Sequence, residues 1–352
     1  MRGRELGLAI GSGTPGPNNA ITDVAGARVG HRTLVEGDSV RTGVTVIFPH
    51  EGEPGLDPVF AGCHRLNGNG ELTGLEWVRE SGLLTSPIGL TNTHSVGVVR
   101  DAIIADTVAR GAEGGWHLPV VGETWDGALN DINGMHVKQE HVFEAIEAAA
   151  GGPVPEGNVG GGTGMICHGF KGGIGTASRV LAADDGGYTV GVLVQANYGD
   201  RARFRVEGVA VGEAITDDLI PVATYHGGPG TGSIIVVVGT NAPLLPHQCH
   251  RLAQRAGLGV GRVGGAGENG SGDIFLAFAT GNRQLVGQGT KPVTMLSNDS
   301  IDPLFYATIE ATEEAIVNAV LQAETMTGKD GKIVHRLDAE LLLEVMRRAG
   351  KV

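Results

Sequence analysis

A serine stands at position 233, where a stretch of small and flexible residues, HGGPGTG (226–232), meets a β-branched run, Ile234, Ile235, Val236, Val237 and Val238. Two readings fit. Ser233 either begins a strand and nothing more, or it is a nucleophile set free by cleavage of the Gly232–Ser233 bond. Glycine before a scissile bond has access to φ/ψ values closed to other residues and has no Cβ to obstruct attack of the hydroxyl on the preceding carbonyl. An N-to-O acyl shift followed by hydrolysis would leave Ser233 with a free α-amine. With a reference pKa of roughly 7.7–8.0, that amine could take the proton of its own hydroxyl at neutral pH, and no histidine would be required.

Other chemical signatures fail on inspection. A nucleophile elbow needs glycine two residues before and two after the serine. Ser233 has Thr231 and Ile235 at those places, and Ser271 has Asn269 and Asp273. GVGRVG (259–264) matches GxGxxG but follows a helical pattern instead of a strand, so a turn after a helix is the expectation there. HQCH (247–250) brings two histidines to i, i+3, which reads as a helix surface and not as a metal site. The glycine-dense segment 158–179 lacks GxxxxGK[ST], since Lys171 precedes glycine. No metal and no cofactor is expected.

The elements that must hold Ser233 alternate along the chain. Strands are predicted at 42–48, 188–196, 205–211, 233–238 and 273–280, each short, β-branched and bounded by glycine. Helices are predicted at 138–151, at about 246–256, at 302–327 with Pro303 in its first turn and a stripe of Phe305, Ile309, Thr312, Ile316, Ala319, Val320 and Ala323, and at 338–349 with Asp338 as cap. The cadence is not the strict βαβ of a dinucleotide fold. One compact α/β body over residues 1–352 is the expectation.

Composition bounds the partners. The net charge of -13 is spread along the chain, which speaks against nucleic acid and anionic membranes and leaves a small molecule or peptide as the ligand. The segment MRGRELGLAIGSG has too short an apolar stretch for a signal-peptide core, so a cytoplasmic protein is expected. Cys63, Cys167 and Cys249 lie far apart with no CxxC and read as small core residues. Sixty glycines among 352 residues is more than twice the usual share of about 7%, which implies many tight turns and close backbone approaches.

The segment GTGSIIVVVGTNAPLLPHQCHRLAQRAG resembles the processing site of the L-aminopeptidase/D-esterase (DmpA-type) family of self-cleaving hydrolases, which includes the β-peptidyl aminopeptidases. Further blocks agree in order and spacing: NAITDVAGARVGH (19–31), SPIGLTNTHSVGVV (86–99), ETWDGALNDINGMHV (123–137), FKGGIGTASR (170–179), VLVQANYGD (192–200) and NGSGDIFLAF (269–278). The resemblance implies a four-layer αββα sandwich of the DmpA/ornithine acetyltransferase type, cut into an α chain (1–232) and a β chain (233–352). It also implies a homotetramer of cleaved αβ pairs acting on short peptides, amino acid amides or esters. An acetyltransferase of the ornithine type shares fold and cleavage, but its nucleophile is threonine. An uncleaved, non-catalytic binding protein is the alternative of a different class.

By the same resemblance Ser233 is the nucleophile, Asn197 an oxyanion-hole donor, and Ser271 with Asp273 the polar pair near the nucleophile's amine. Glu123 corresponds to the acidic residue that receives the substrate's free α-amine. Trp125 departs from a tyrosine of the family's pattern. An indole N–H donates but neither accepts nor exchanges a proton, so an oxyanion contribution survives the change while a proton relay does not.

Overall fold

The computed structural model describes residues 1–112, 115–223 and 232–352. Most of the expected flexible stretch, 226–231, therefore lies outside the described residues, while Gly232 and Ser233 lie inside them. Two sheets carry the architecture. The first has four strands in the order β1 (Arg28–Glu36), β2 (Val40–Phe48), β5 (Ile88–Asn92), β6 (Val120–Thr124). The second has six, in the order β4 (Leu83–Leu84), β3 (Val59–Gly68), β12 (Ser271–Ala279), β11 (Gly232–Thr240), β10 (Thr189–Asn197), β9 (Gly173–Val180). Two small hairpins, β7 (Ile166–Cys167) with β8 (Phe170–Lys171) and β13 (Met326–Thr327) with β14 (Ile333–Val334), flank them.

Alternation along β11 explains the layering. Side chains two residues apart share a face. Ile234, Val236 and Val238 enter one core with helices α5 (Pro246–Val263) and α6 (Asp302–Leu321). Ile235 and Val237 enter a second core, together with Ile88, Leu90 and Val120 of the four-stranded sheet. The outer face of that sheet, through Val44, Val46 and Val121, packs on α2 (Val96–Ala109) and α3 (Gln139–Glu147). The layers run helix, sheet, sheet, helix: the αββα sandwich. The shorter helices α1 (Leu75–Ser81) and α4 (Val211–Ala214), and the C-terminal α7 (Ala339–Arg348), complete the fold. In α7 the Asp338 carboxylate caps the Glu340 and Leu341 N–H groups at 2.9 and 3.1 Å, as the sequence predicts.

Three expectations need correction. Residues 205–211 form no ladder strand: Val206 pairs only with Val209 across a tight turn at Glu207 and Gly208, and Val211 opens α4. GVGRVG continues α5 to Val263, with Gly259 packed against Thr312 of α6, and the helix ends only at Gly264, whose φ is 105°. The helix predicted over 302–327 stops at Leu321, and it is buried well beyond a single stripe. Glu313, Glu314 and Asn318 are inside the molecule too, with Glu314 paired to the buried Arg179 at 2.8 Å.

Candidate active site

The site forms where three strand ends of the six-stranded sheet meet. Asn197, the last residue of β10, is the antiparallel partner of Ser233. On the other side β11 runs parallel to β12, which pairs Gly232 with Ser271 and Ser233 with Gly272, and puts Asp273 beside Ile234. Residues far apart in the chain, Asn197, Ser233, Ser271 and Asp273, are thereby neighbours, and all four are buried. Ser233 shares its face with Ile235, which lies against Gly122 of the opposite sheet, so its side chain belongs to the inter-sheet side.

Gly232 has to be glycine. Its φ is 141°, within the range that disfavours L side chains, and a Cβ there would run into the main-chain carbonyl oxygen of Asn197. The bond proposed for cleavage is thus held by a residue in a conformation that only glycine adopts at low cost.

Asn197 is fixed at both ends of its amide. Its Oδ1 accepts from the Ile166 N–H at 2.8 Å, and its Nδ2 donates to the Trp125 carbonyl at 3.0 Å. A primary amide has two N–H bonds, and among the described residues only one of them is engaged, which leaves the other for a ligand. One turn of the pleat below, Gln195 Nε2 donates to the Thr91 carbonyl at 2.9 Å and to Thr124 Oγ1 at 2.8 Å, which ties β10 to the four-stranded sheet. Trp125 therefore touches Asn197 through its main chain. Its ring lies over Gly127 and packs on the small apolar cluster of Ala128, Leu129, Ile166 and Val334.

Ser271 Oγ donates to Asp273 Oδ1 at 2.6 Å. Burial pushes the Asp273 carboxyl up to about 6, the Glu268 carboxylate adds to the rise, and hydrogen bonds from Ser271 and the Ile234 backbone oppose it. Such a group is poised between charged and neutral near the working range of a general base.

Glu123 sits near the end of β6, beside Thr91 of β5. Its carboxylate accepts from the Glu71 N–H at 2.9 Å and from the Thr93 hydroxyl. Gly70 lies between it and the strand neighbours of Ser233: a Cβ on Gly70 would stand 3.1 Å from Glu123 Oε1 and 3.1 Å from the Cα of Gly272, the parallel partner of Ser233. Burial holds the Glu123 carboxyl above its ordinary value, against the hydrogen bonds from Thr93 and Glu71. The cradle residues Ile166, Glu71 and Thr93 escape the sequence reading. They act through main-chain groups or a single hydroxyl, and nothing in their types announces it.

The other signatures resolve as structure. His250 Nδ1 lies 2.6 Å from the Cys63 carbonyl, and no group of three His, Cys, Asp or Glu placed to hold a metal ion occurs among the described residues. Cys63, Cys167 and Cys249 are free and buried. No helix among the described residues is long and apolar enough to cross a membrane.

Comparison with known proteins agrees with this geometry. The profile of peptidase family S58 matches residues 19–334. Beta-peptidyl aminopeptidase BapA of Sphingosinicella microcystinivorans is 50% identical over 99% of this chain and 92% of its own length. The BapA of Sphingosinicella xenopeptidilytica is 44% identical over 98% and 91%. Among solved structures, a Burkholderia sp. beta-aminopeptidase superposes with a TM-score of 0.93 at 56% identity, covering 99% of both chains. The L-aminopeptidase D-Ala-esterase/amidase of Ochrobactrum anthropi, described as a prototype for the serine aminopeptidases and a variant of the Ntn hydrolase fold, does so with 0.92 at 45% identity, again covering 99% of both. The chain belongs to peptidase family S58 and is a serine aminopeptidase with the αββα fold of DmpA-type hydrolases.

Proposed function

We propose that the chain cuts itself between Gly232 and Ser233 and then uses the new N-terminal serine to remove N-terminal residues from short peptides, amino acid amides or esters. The observation that carries this reading is the register that sets Gly232–Ser233 between Asn197 on one side and Ser271 on the other. In the first reaction Ser233 Oγ attacks the Gly232 carbonyl, the peptide becomes an ester, and water hydrolyses the ester. The products are a carboxylate on Gly232 and a free amine on Ser233.

In the second reaction that amine takes the Ser233 hydroxyl proton as Oγ attacks the substrate carbonyl. The free N–H of Asn197 stabilises the oxyanion of the tetrahedral intermediate. The leaving amine or alcohol carries the proton away, and water releases the acyl group by the reverse sequence. Ser271 and Asp273 orient the Ser233 amine, and Glu123 receives the substrate's ammonium, which makes the enzyme an exopeptidase. The names of the relatives extend the substrate class to peptides that begin with a β-amino acid. A homotetramer of cleaved pairs in the cytoplasm belongs to the same reading.

A panel of free and N-acetylated aminoacyl p-nitroanilides, α and β, given to the purified protein tests it. Hydrolysis confined to free amines supports the reading, and equal rates on blocked substrates contradict it.

A further inference from the structure

Lys171, at the end of β8, is fully buried. Its Nζ donates to the carbonyls of Met165 at 2.8 Å and Gly172 at 2.9 Å, with that of Gly162 at 3.5 Å. Among the described residues three carbonyl oxygens accept from it, and an ammonium, with three hydrogens and no lone pair, fits that surrounding. Among the described residues no carboxylate lies within ion-pair distance of it. A buried cation without a counter-charge is costly.

The Met165 carbonyl and the Ile166 N–H belong to one peptide group. The first accepts from Lys171 at 2.8 Å, and the second donates to Asn197 Oδ1 at 2.8 Å. We propose that Lys171 is a positioning residue for the aminopeptidase reaction, acting on the oxyanion donor Asn197 through the Met165–Ile166 peptide. A cation on the carbonyl draws electron density from the peptide nitrogen and strengthens its N–H as a donor. The Asn197 carbonyl, held by that N–H, passes the same polarisation to its own amide hydrogens. Hydrogen bonds chained in this way reinforce one another by roughly 10–30% each. The positive charge left unpaired in the resting protein is complementary to the negative charge that develops on the substrate oxygen, the arrangement that favours the transition state over the ground state. Burial lowers Lys171 to about 7, with Cys167 opposing, so near neutral pH the side chain carries its charge in part of the molecules, and the developing oxyanion favours the charged form.

This inference rests on Asn197 being the oxyanion donor, so the test separates the two claims. In a double-mutant cycle, kcat and KM are measured per cleaved chain for the unaltered enzyme, Lys171→Met, Asn197→Ala and the double variant. Asn197→Ala should lower kcat about 100-fold or more. Lys171→Met should lower kcat about tenfold with KM changed less than about twofold, and should cost less than twofold once Asn197 is already replaced by alanine. The same tenfold loss in both backgrounds would overturn the relay while leaving the role of Asn197 intact. An undiminished kcat in Asn197→Ala would remove the donor reading and the relay with it. Lys171→Gln, which keeps two N–H donors without the charge, serves as the second variant if the methionine chain does not fold or cleave. If neither folds, Lys171 serves the fold alone and the proposal fails.

Discussion

Asn197 and Ser233 are cross-strand partners at the same end of the six-stranded sheet, and the carbonyl oxygen of Asn197 occupies the space that a Cβ on Gly232 would need. One residue thus restricts the Gly232–Ser233 junction through its main chain and offers a side-chain amide beside the serine. On the proposed mechanism self-cleavage and substrate hydrolysis draw on the same few atoms, and substitutions tell the two steps apart.

Ser233→Ala should abolish both the appearance of two fragments and all hydrolysis, because one hydroxyl is proposed for both. A denaturing gel and a p-nitroanilide assay suffice. Residual hydrolysis above about a thousandth of the parent rate would place the nucleophile elsewhere.

Gly232→Ala should fold with a cost of about 1 kcal/mol or more, since alanine is strained at a φ of 141°. It should accumulate uncut chain for at least ten times as long as the parent. A fragment time course after synthesis reads this directly, and cleavage within twofold of the parent rate would show that the close approach to Asn197 is irrelevant.

Much of this is legible in the sequence, and the reason differs from element to element. The strand after Ser233 is unmistakable because five β-branched residues follow a glycine run. Residues 205–211 offer similar apolar spacing, yet Val206 and Val211 reach the core from a tight turn and a helix, so burial without a ladder imitates a strand. GVGRVG reads as the end of a helix because glycine disfavours helices, but Gly259 is where α5 comes close to α6. The reactive groups are visible as residue types in ordered blocks. Their supports are not: Ile166 holds Asn197 from the β7–β8 hairpin, and Thr93, just past the end of β5, holds Glu123 on the neighbouring β6, contacts that only the folded topology creates.

Asp273→Asn should stabilise the uncut protein at neutral pH. The carboxyl is raised from 3.8 to about 6 by burial, so its folded state prefers the proton. The stability that goes with the protonated form is complete below pH 4 and is lost as pH rises through 6. In the Ser233→Ala background, the Asp273→Asn change should therefore add about 3 kcal/mol of stability at pH 7 and less than about 1 kcal/mol at pH 4. Denaturant titrations at the two pH values check it. A gain independent of pH would mean that the charge is not the cause. In the cleaved enzyme the gain should shrink, because the Ser233 ammonium would then face the carboxylate.

Glu123 should separate recognition from chemistry. A charge-assisted contact is worth roughly 1.5–3 kcal/mol, and about 1.4 is enough for a factor of ten. N-acetylated substrates should therefore react at least tenfold less well than free ones, and Glu123→Gln should narrow that gap by harming the free substrate while leaving self-cleavage intact. Burial raises this carboxyl above its ordinary 4.5, so KM for the free amine should climb as pH falls through the raised value, and KM for the blocked amine should not. Parallel pH profiles for the two substrates would leave Glu123 without a role in recognition.

On the proposed mechanism Ser233 becomes an N-terminal residue before it becomes a catalyst. Purified protein kept at neutral pH until the gel pattern stops changing, then subjected to N-terminal sequencing of the smaller fragment and intact mass analysis, tests it most directly. Two chains are expected, residues 1–232 and 233–352, the second reading Ser-Ile-Ile-Val from its first cycle, with aminopeptidase activity rising in step with their appearance. A single uncut chain that hydrolyses substrate at full rate, or a cut at any other bond, would contradict it.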